Sequence, residues 1–99
     1  MTFRVRVDDN YHYMDEDART TLGDFQTLGA AIAAAKALVD DFLTSAYRPG
    51  LTAEELFHEY TGFGEDPFIE GPGLSGVPFS AWDYARQRCA QLCAPPSAR

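Results

Sequence analysis

The opening residues alternate with a period of two: Phe3, Val5 and Val7 are apolar, while Arg4, Arg6 and Asp8 are polar. That alternation predicts a strand with one face on a core and the other facing away from it. Asp8, Asp9 and Asn10 then supply turn chemistry, because Asx side chains hydrogen-bond their own backbone and tolerate left-handed conformations. A second short strand is read over 11–14 and a loop over 15–18. A further strand over 19–25, carrying the β-branched pair Thr20 and Thr21, returns along the first.

At Thr27 the period changes. Leu28, Ile32, Ala35, Val39, Phe42, Leu43 and Ala46 recur at three-and-four spacing, with Lys36, Asp40, Asp41 and Thr44 mostly opposite. This predicts a helix over 28–45, capped by Thr27, rich in alanine, and laid with its apolar stripe on Phe3, Val5 and Val7. Pro49 and Gly50 end it. Thr52-Ala53-Glu54-Glu55 is a capping box with Leu51 and Leu56 as its hydrophobic staple, and Ser80-Ala81-Trp82-Asp83 repeats the logic with Phe79 and Tyr84. The middle helix is expected to end near Tyr60, before turns at Gly62 and Gly64. The last is expected to reach about Cys93, bury Trp82, Ala85, Cys89 and Leu92, and stop before Pro95-Pro96. Pro67-Phe68-Ile69 reads as an edge strand, followed by a Gly/Pro-rich loop over 71–76. The expected fold is α+β: a small antiparallel sheet of two to four strands packed against one long and two shorter helices, in the order β-β-α-α-β-α. A single domain over 1–94 with a disordered tail over 95–99 is expected.

A chain of 99 residues buries roughly 60–70% of its unfolded surface, enough to fold without a metal or disulfide. No apolar run approaches the roughly 20 residues of a membrane span, and no stretch near the N-terminus resembles a secretory signal, so a cytoplasmic location is expected. The net charge of −7 changes the picture more. It disfavours sequence-independent binding to nucleic acid or anionic membrane and points to a basic protein partner. The charge is concentrated. Residues 50–79 hold six carboxylates (Glu54, Glu55, Glu59, Glu65, Asp66, Glu70) and no Lys or Arg, and residues 8–24 hold six more against Arg19 alone. The plainer reading of such blocks is solvated surface.

Candidate chemistry is sparse. Asp8, Asp9, Asp15, Glu16 and Asp17 are hard oxygen donors, but they lack the alternating ligand spacing and central glycine of a calcium loop. His12, His58, Cys89 and Cys93 match no zinc-finger or ribbon spacing, and no nucleophile elbow or orienting third group accompanies a His and Cys pair. Cys89 and Cys93 sit four apart on one helical face, poorly aimed for a bridge, and read as reduced apolar packing groups. Gly62-x-Gly64 and Gly71-x-Gly73 are too short and too acidic to cradle phosphate. No catalytic, cofactor-binding or metal-ligating residue is therefore assigned. Tyr11, Tyr13, Tyr60, Phe63 and Phe68 are interleaved with carboxylates, as on a protein-binding surface where rings give area and charges give steering.

Four stretches carry a resemblance: Val7 to Glu16 (Val-Asp-Asp-Asn-Tyr-His-Tyr-Met-Asp-Glu), Pro-Gly-Leu-Thr-Ala-Glu-Glu-Leu, Gly-Glu-Asp-Pro-Phe-Ile and Phe-Ser-Ala-Trp-Asp-Tyr-Ala. Together they resemble a family of small uncharacterised bacterial proteins of about this length, which implies one small domain and no transferable catalytic residue. In size and charge the chain is also similar to small acidic nucleic-acid mimics, such as anti-CRISPR inhibitors. The expected function is a non-enzymatic interaction protein whose acidic face engages a basic partner, in its sharpest form a nucleic-acid-binding complex. The partner-binding candidates are Asp8, Asp9, Tyr11, Tyr13, Asp15, Glu16, Asp17, Glu54, Glu55, Glu59, Phe63, Glu65 and Asp66. The alternative is an accessory protein with a small-molecule or metal site under the Gly/Pro loop.

Overall fold

In the computed structural model, which describes residues 2–9, 20–74 and 78–93, the alternating opening segment is the middle strand of the sheet. The expected strand over 11–14, the loop over 15–18 and the tail over 95–99 lie outside the described residues. β1 (Phe3–Asp9) is flanked by β2 (Thr20–Phe25) and β3 (Glu65–Glu70), both antiparallel to it, in the order β2-β1-β3. With α1 (Leu28–Ala46), α2 (Ala53–Phe63) and α3 (Ala81–Leu92), the elements run β-β-α-α-β-α, an α+β fold.

The sheet follows the alternation. Val5, Val7, Pro67 and Ile69 are buried on the helix side, while Arg4, Arg6 and Asp8 occupy the opposite phase of β1. β2 shifts register between Val5 and Arg6, which pair with Gly23 and Thr21. Leu22 is thus the extra residue of a bulge, and it is exposed. Pro67 is tolerated because β3 is an edge, where its missing N–H breaks no ladder on the outer side. The strand begins at Glu65, earlier than Pro67, where the sequence pattern places its start.

α1 lies where the periodicity places it, with the Thr27 hydroxyl accepting from Ala30 N–H at 3.1 Å. Its buried line is Ala31, Ala35, Val39 and Leu43, a four-residue repeat rotated from the expected stripe; Leu28, Ile32, Phe42 and Ala46 are only half-buried. Only its first half meets the sheet. Ala31 and Ala35 pack with Val5 and Ile69, and small side chains let that helix approach closely. Val39 and Leu43 instead join Leu56, Tyr60, Ala81, Ala85 and Cys89 in a three-helix core. Phe79 packs against both groups and links them.

The α2 capping box forms in full, with Thr52 Oγ1 accepting from Glu55 N–H at 3.1 Å and Glu55 Oε1 accepting from Thr52 N–H at 2.9 Å. α2 does not stop near Tyr60; it continues through Gly62, which is helical rather than a turn. Tyr60 is fully buried and its hydroxyl donates to the Glu65 carbonyl at 2.7 Å, so packing holds the last turn despite a glycine. The helix halts at Gly64, where a Cβ would lie 2.6 Å from the Tyr60 ring. At α3, Ser80 Oγ accepts from Asp83 N–H, and the Phe79 and Tyr84 rings meet at 5.9 Å as the expected staple.

Burial ranks two substitutions in α1. Val39→Asp places a carboxylate where the side chain is 1% exposed and should cost several kcal/mol, whereas Ile32→Asp leaves its charge half in water and should cost well under half as much. Urea denaturation of both variants checks this; equal losses would mean that the buried line runs through Ile32.

Candidate functional site

Where β1 ends and β3 begins, Asp8 and Asp9 from one acidic block meet Glu65 and Asp66 from the other. Asp8 pairs with Asp66 and Asp9 with Glu65 across the antiparallel ladder. Alternation puts Asp8 and Asp66 on the outer face of the sheet, and Asp9 and Glu65 in the phase of the helix side, so carboxylates bracket this end of the sheet. Like charges directly opposite one another are unfavourable. Asp66 registers the effect: its partial burial, and secondarily the charge of Asp8, push its carboxyl up to about 6. Among the described residues, nothing donates a hydrogen bond to that carboxylate.

The opposite end of the sheet is balanced. Arg4 stands between Asp24 and Glu70 in the register, its Nε 2.8 Å from Asp24 Oδ1, and this hydrogen bond holds Asp24 below the usual carboxylate range. Arg6 Nη1 lies 3.9 Å from Glu70 Oε1. Among the described residues of the sheet, the arginines Arg4 and Arg6 precede the carboxylate pairs along β1. At the acidic end, α2 adds the partial negative charge of its C-terminus, which has no basic residue in its last turn. Phe63 in that turn is 66% exposed.

The remaining candidates lie elsewhere. Glu54 is about 14 Å of helix rise from Phe63, beyond a Debye length of about 8–10 Å. Glu55 is occupied in the capping box, which keeps its carboxyl below the usual range, and Glu59 binds Arg48 at 3.1 Å. With Leu51 and His58 these residues line a separate shallow groove. Tyr11, Tyr13, Asp15, Glu16 and Asp17 lie outside the described residues.

A second feature adjoins the acidic end. Asp66, Pro67 and Phe68 form one wall of a cleft of about 280 Å³ whose other wall is Phe79, Ser80, Ala81 and Trp82. Trp82 is 39% exposed, which corrects its expected burial. The tight seam of α3 is Ala81, Ala85 and Cys89, small residues four apart, and Trp82 sits one step round from it. Its ring meets Phe57 edge-on at 6.2 Å, and the Arg86 guanidinium lies 4.3 Å over Phe57. The small-residue repeat was the available signal that the bulky indole belongs outside the seam. A clamp fixes this wall: Asp40 on α1 accepts from Tyr84 OH at 2.9 and 3.0 Å and from Arg88 Nε at 2.8 Å. Burial and the Asp40 hydrogen bond raise the Tyr84 hydroxyl.

Cys89 and Cys93 are free thiols, and burial, with Cys93 nearby, pushes Cys89 up to about 11. Such a thiol is protonated at neutral pH, the reverse of what a nucleophile needs. Among the described residues, no three His, Cys, Asp or Glu side chains form a group able to hold a metal ion, and no helix is long and apolar enough to cross a membrane.

The Asp66 shift has a sign that stability measurements can read. Its folded-state pKa lies above its unfolded value near 3.8, so the ionised form is the disfavoured one in the fold. Its contribution to stability rises as pH falls through about 6 and levels off below the unfolded value. Asp66→Asn should accordingly raise the melting temperature near neutral pH and leave it nearly unchanged at about pH 4. Thermal melts across that window check it; a variant less stable than wild type near neutrality contradicts the shift.

In comparisons with known proteins, no family model, curated protein or solved structure matches this chain.

Proposed function

We propose that this protein is a non-enzymatic interaction protein whose acidic sheet end engages the cationic surface of a basic partner. The observation that carries the reading is the β1–β3 register, which sets Asp8 against Asp66 and Asp9 against Glu65. The four carboxylates rise from backbone positions whose spacing the strand pairing fixes, two in each phase of the sheet. A cationic groove approaching them relieves their mutual repulsion, so the repulsion favours association. Long-range attraction accelerates encounter, and the exposed Phe63 ring adds apolar contact area at the same end. Grooves built for phosphates present the required Arg and Lys. A partner that normally holds nucleic acid is therefore the sharper form of the reading.

Reversing Asp9 and Glu65 together to Lys should abolish low-salt capture of the native partner, while Asp41→Lys on the exposed side of α1 should not. Capture by wild type should weaken steeply from low to moderate ionic strength and should be displaced by duplex DNA if the partner's groove is a nucleic-acid site. Recovery of the same partner by the Asp9/Glu65 reversal would overturn the reading; displacement by salt but not by DNA would retain the basic partner and remove the nucleic-acid form.

A further inference from the structure

The outer face of the sheet carries its charges in an arrangement that leaves one arginine between two carboxylates. Alternation puts Arg4, Arg6 and Asp8 of β1 on this face, with Asp66, Phe68 and Glu70 of β3 and Thr21 and Asp24 of β2 beside them, while the described helices pack on the other side through Val5 and Ile69. Arg6 stands directly opposite Phe68, so Asp66 and Glu70, two residues to either side of Phe68, are both its diagonal neighbours. Such neighbours lie about 7–8 Å apart, within reach of a long side chain. Arg6 is poorly satisfied where it is. Its Nη1 lies 3.9 Å from Glu70 Oε1, beyond hydrogen-bond distance, and its Nε is buried with no hydrogen-bond partner. The two carboxylates differ in what else faces them. Glu70 is directly opposite Arg4, whereas Asp66 is directly opposite Asp8 and, among the described residues, receives no hydrogen bond.

We propose that Arg6 is a two-position side chain governed by the protonation of Asp66: it rests beside Glu70 while Asp66 is protonated, and it crosses Phe68 to pair with Asp66 when that carboxyl ionises. The ionised carboxylate supplies what both groups lack, an acceptor for Arg6 Nε and donors for Asp66, in the parallel two-bond geometry that guanidinium and carboxylate share. It also sets a cation beside the Asp8–Asp66 repulsion. Glu70 keeps Arg4 opposite it. Partial burial and the charge of Asp8, which push the Asp66 carboxyl up to about 6, bring the exchange close to neutrality. The charged groups bearing on it among the described residues are Arg4 and Asp8 on β1, Asp24 on β2 and Glu70 on β3, with Asp9 and Glu65 in the opposite phase at the same end. The exchange moves charge and requires no partner. Ionisation of Asp66 brings Arg6 with it, so that end of the outer face keeps its net charge, and the negative charge appears instead around Glu70, about 13 Å along β3.

NMR of the side chains tests it. Nuclear Overhauser contacts from Arg6, its Nε–Hε resonance and the Asp66 and Glu70 carboxyl carbons are followed from about pH 5 to 8. Below the Asp66 transition the Arg6 side chain should contact the Glu70 methylenes. Above it those contacts should give way to the Asp66 β-protons, and Nε–Hε should shift with the same midpoint. The Glu70 carbon should show a small step at that midpoint, and Arg6→Gln should remove the step and raise the Asp66 midpoint by about 0.5. Asp66→Asn should hold Arg6 beside Glu70 across the range, and Asp41→Asn on the exposed side of α1 should leave the exchange in place. The same Arg6 contacts on both sides of the transition would overturn the proposal, as would an Asp66 midpoint that Arg6→Gln leaves unchanged. Amide spectra check that each variant keeps the fold, and the wild-type contacts alone decide the matter if one does not.

Discussion

Everything in this fold depends on the register of β1 between its two antiparallel neighbours. A slip of one residue would send Val5 and Val7 to the outer face and put Arg4 and Arg6 into the core. Burying Val5 and Val7, which are 0% and 3% exposed, is worth about 1.5–3 kcal/mol each. Like charges facing each other across strands oppose this by roughly 0.2–1 kcal/mol per pair. Burial wins. The acidic pairs are thus a consequence of the apolar pattern, fixed by the same choice of register that builds the core.

The helices then decide what surrounds the acidic end. α1 serves two cores in sequence, the sheet through Ala31 and Ala35 and the helices through Val39 and Leu43, so it ties β3 to α3. Phe79 packs on both cores and also lines the cleft. The Asp40 carboxylate, held by Tyr84 and Arg88, locks the α3 side of the same cleft to α1. Gly64 permits α2 to turn directly into β3 against Tyr60, which brings the C-terminal end of the helix beside Glu65 and Asp66. The two walls of the cleft are therefore positioned by packing that neither wall provides for itself.

Local signals were legible in the sequence and relations between distant segments were not. Thr27, Thr52 and Ser80 cap their helices because a cap needs only its next three residues. The alternation of Phe3 to Asp8 likewise names its faces without help from elsewhere. Periodicity places Ile32 and Trp82 in the apolar arcs of their helices but leaves open which edge of each arc meets a partner; the small residues Ala31 and Ala81 take the tightest places. Gly62 looked like a stop because its propensity is poor, and the burial of Tyr60 overrode that propensity. The acidic residues were visible as two blocks, yet Asp8 opposite Asp66 is a product of strand pairing that composition does not encode. The cleft was missed for the same reason, since Phe68 and Trp82 belong to different elements that only the packed fold brings together.

The claim that register gathers these carboxylates is tested most directly by following the Asp66 carboxyl by NMR as pH is varied, in wild type and in Asp8→Asn. The account predicts that Asp66 titrates near 6 in wild type and moves downward, without returning fully to its usual value, when the charge of Asp8 is removed, because burial is the larger cause. An Asp66 that titrates near 3.8 in both proteins would contradict it, since the carboxylate would then be neither desolvated nor facing Asp8.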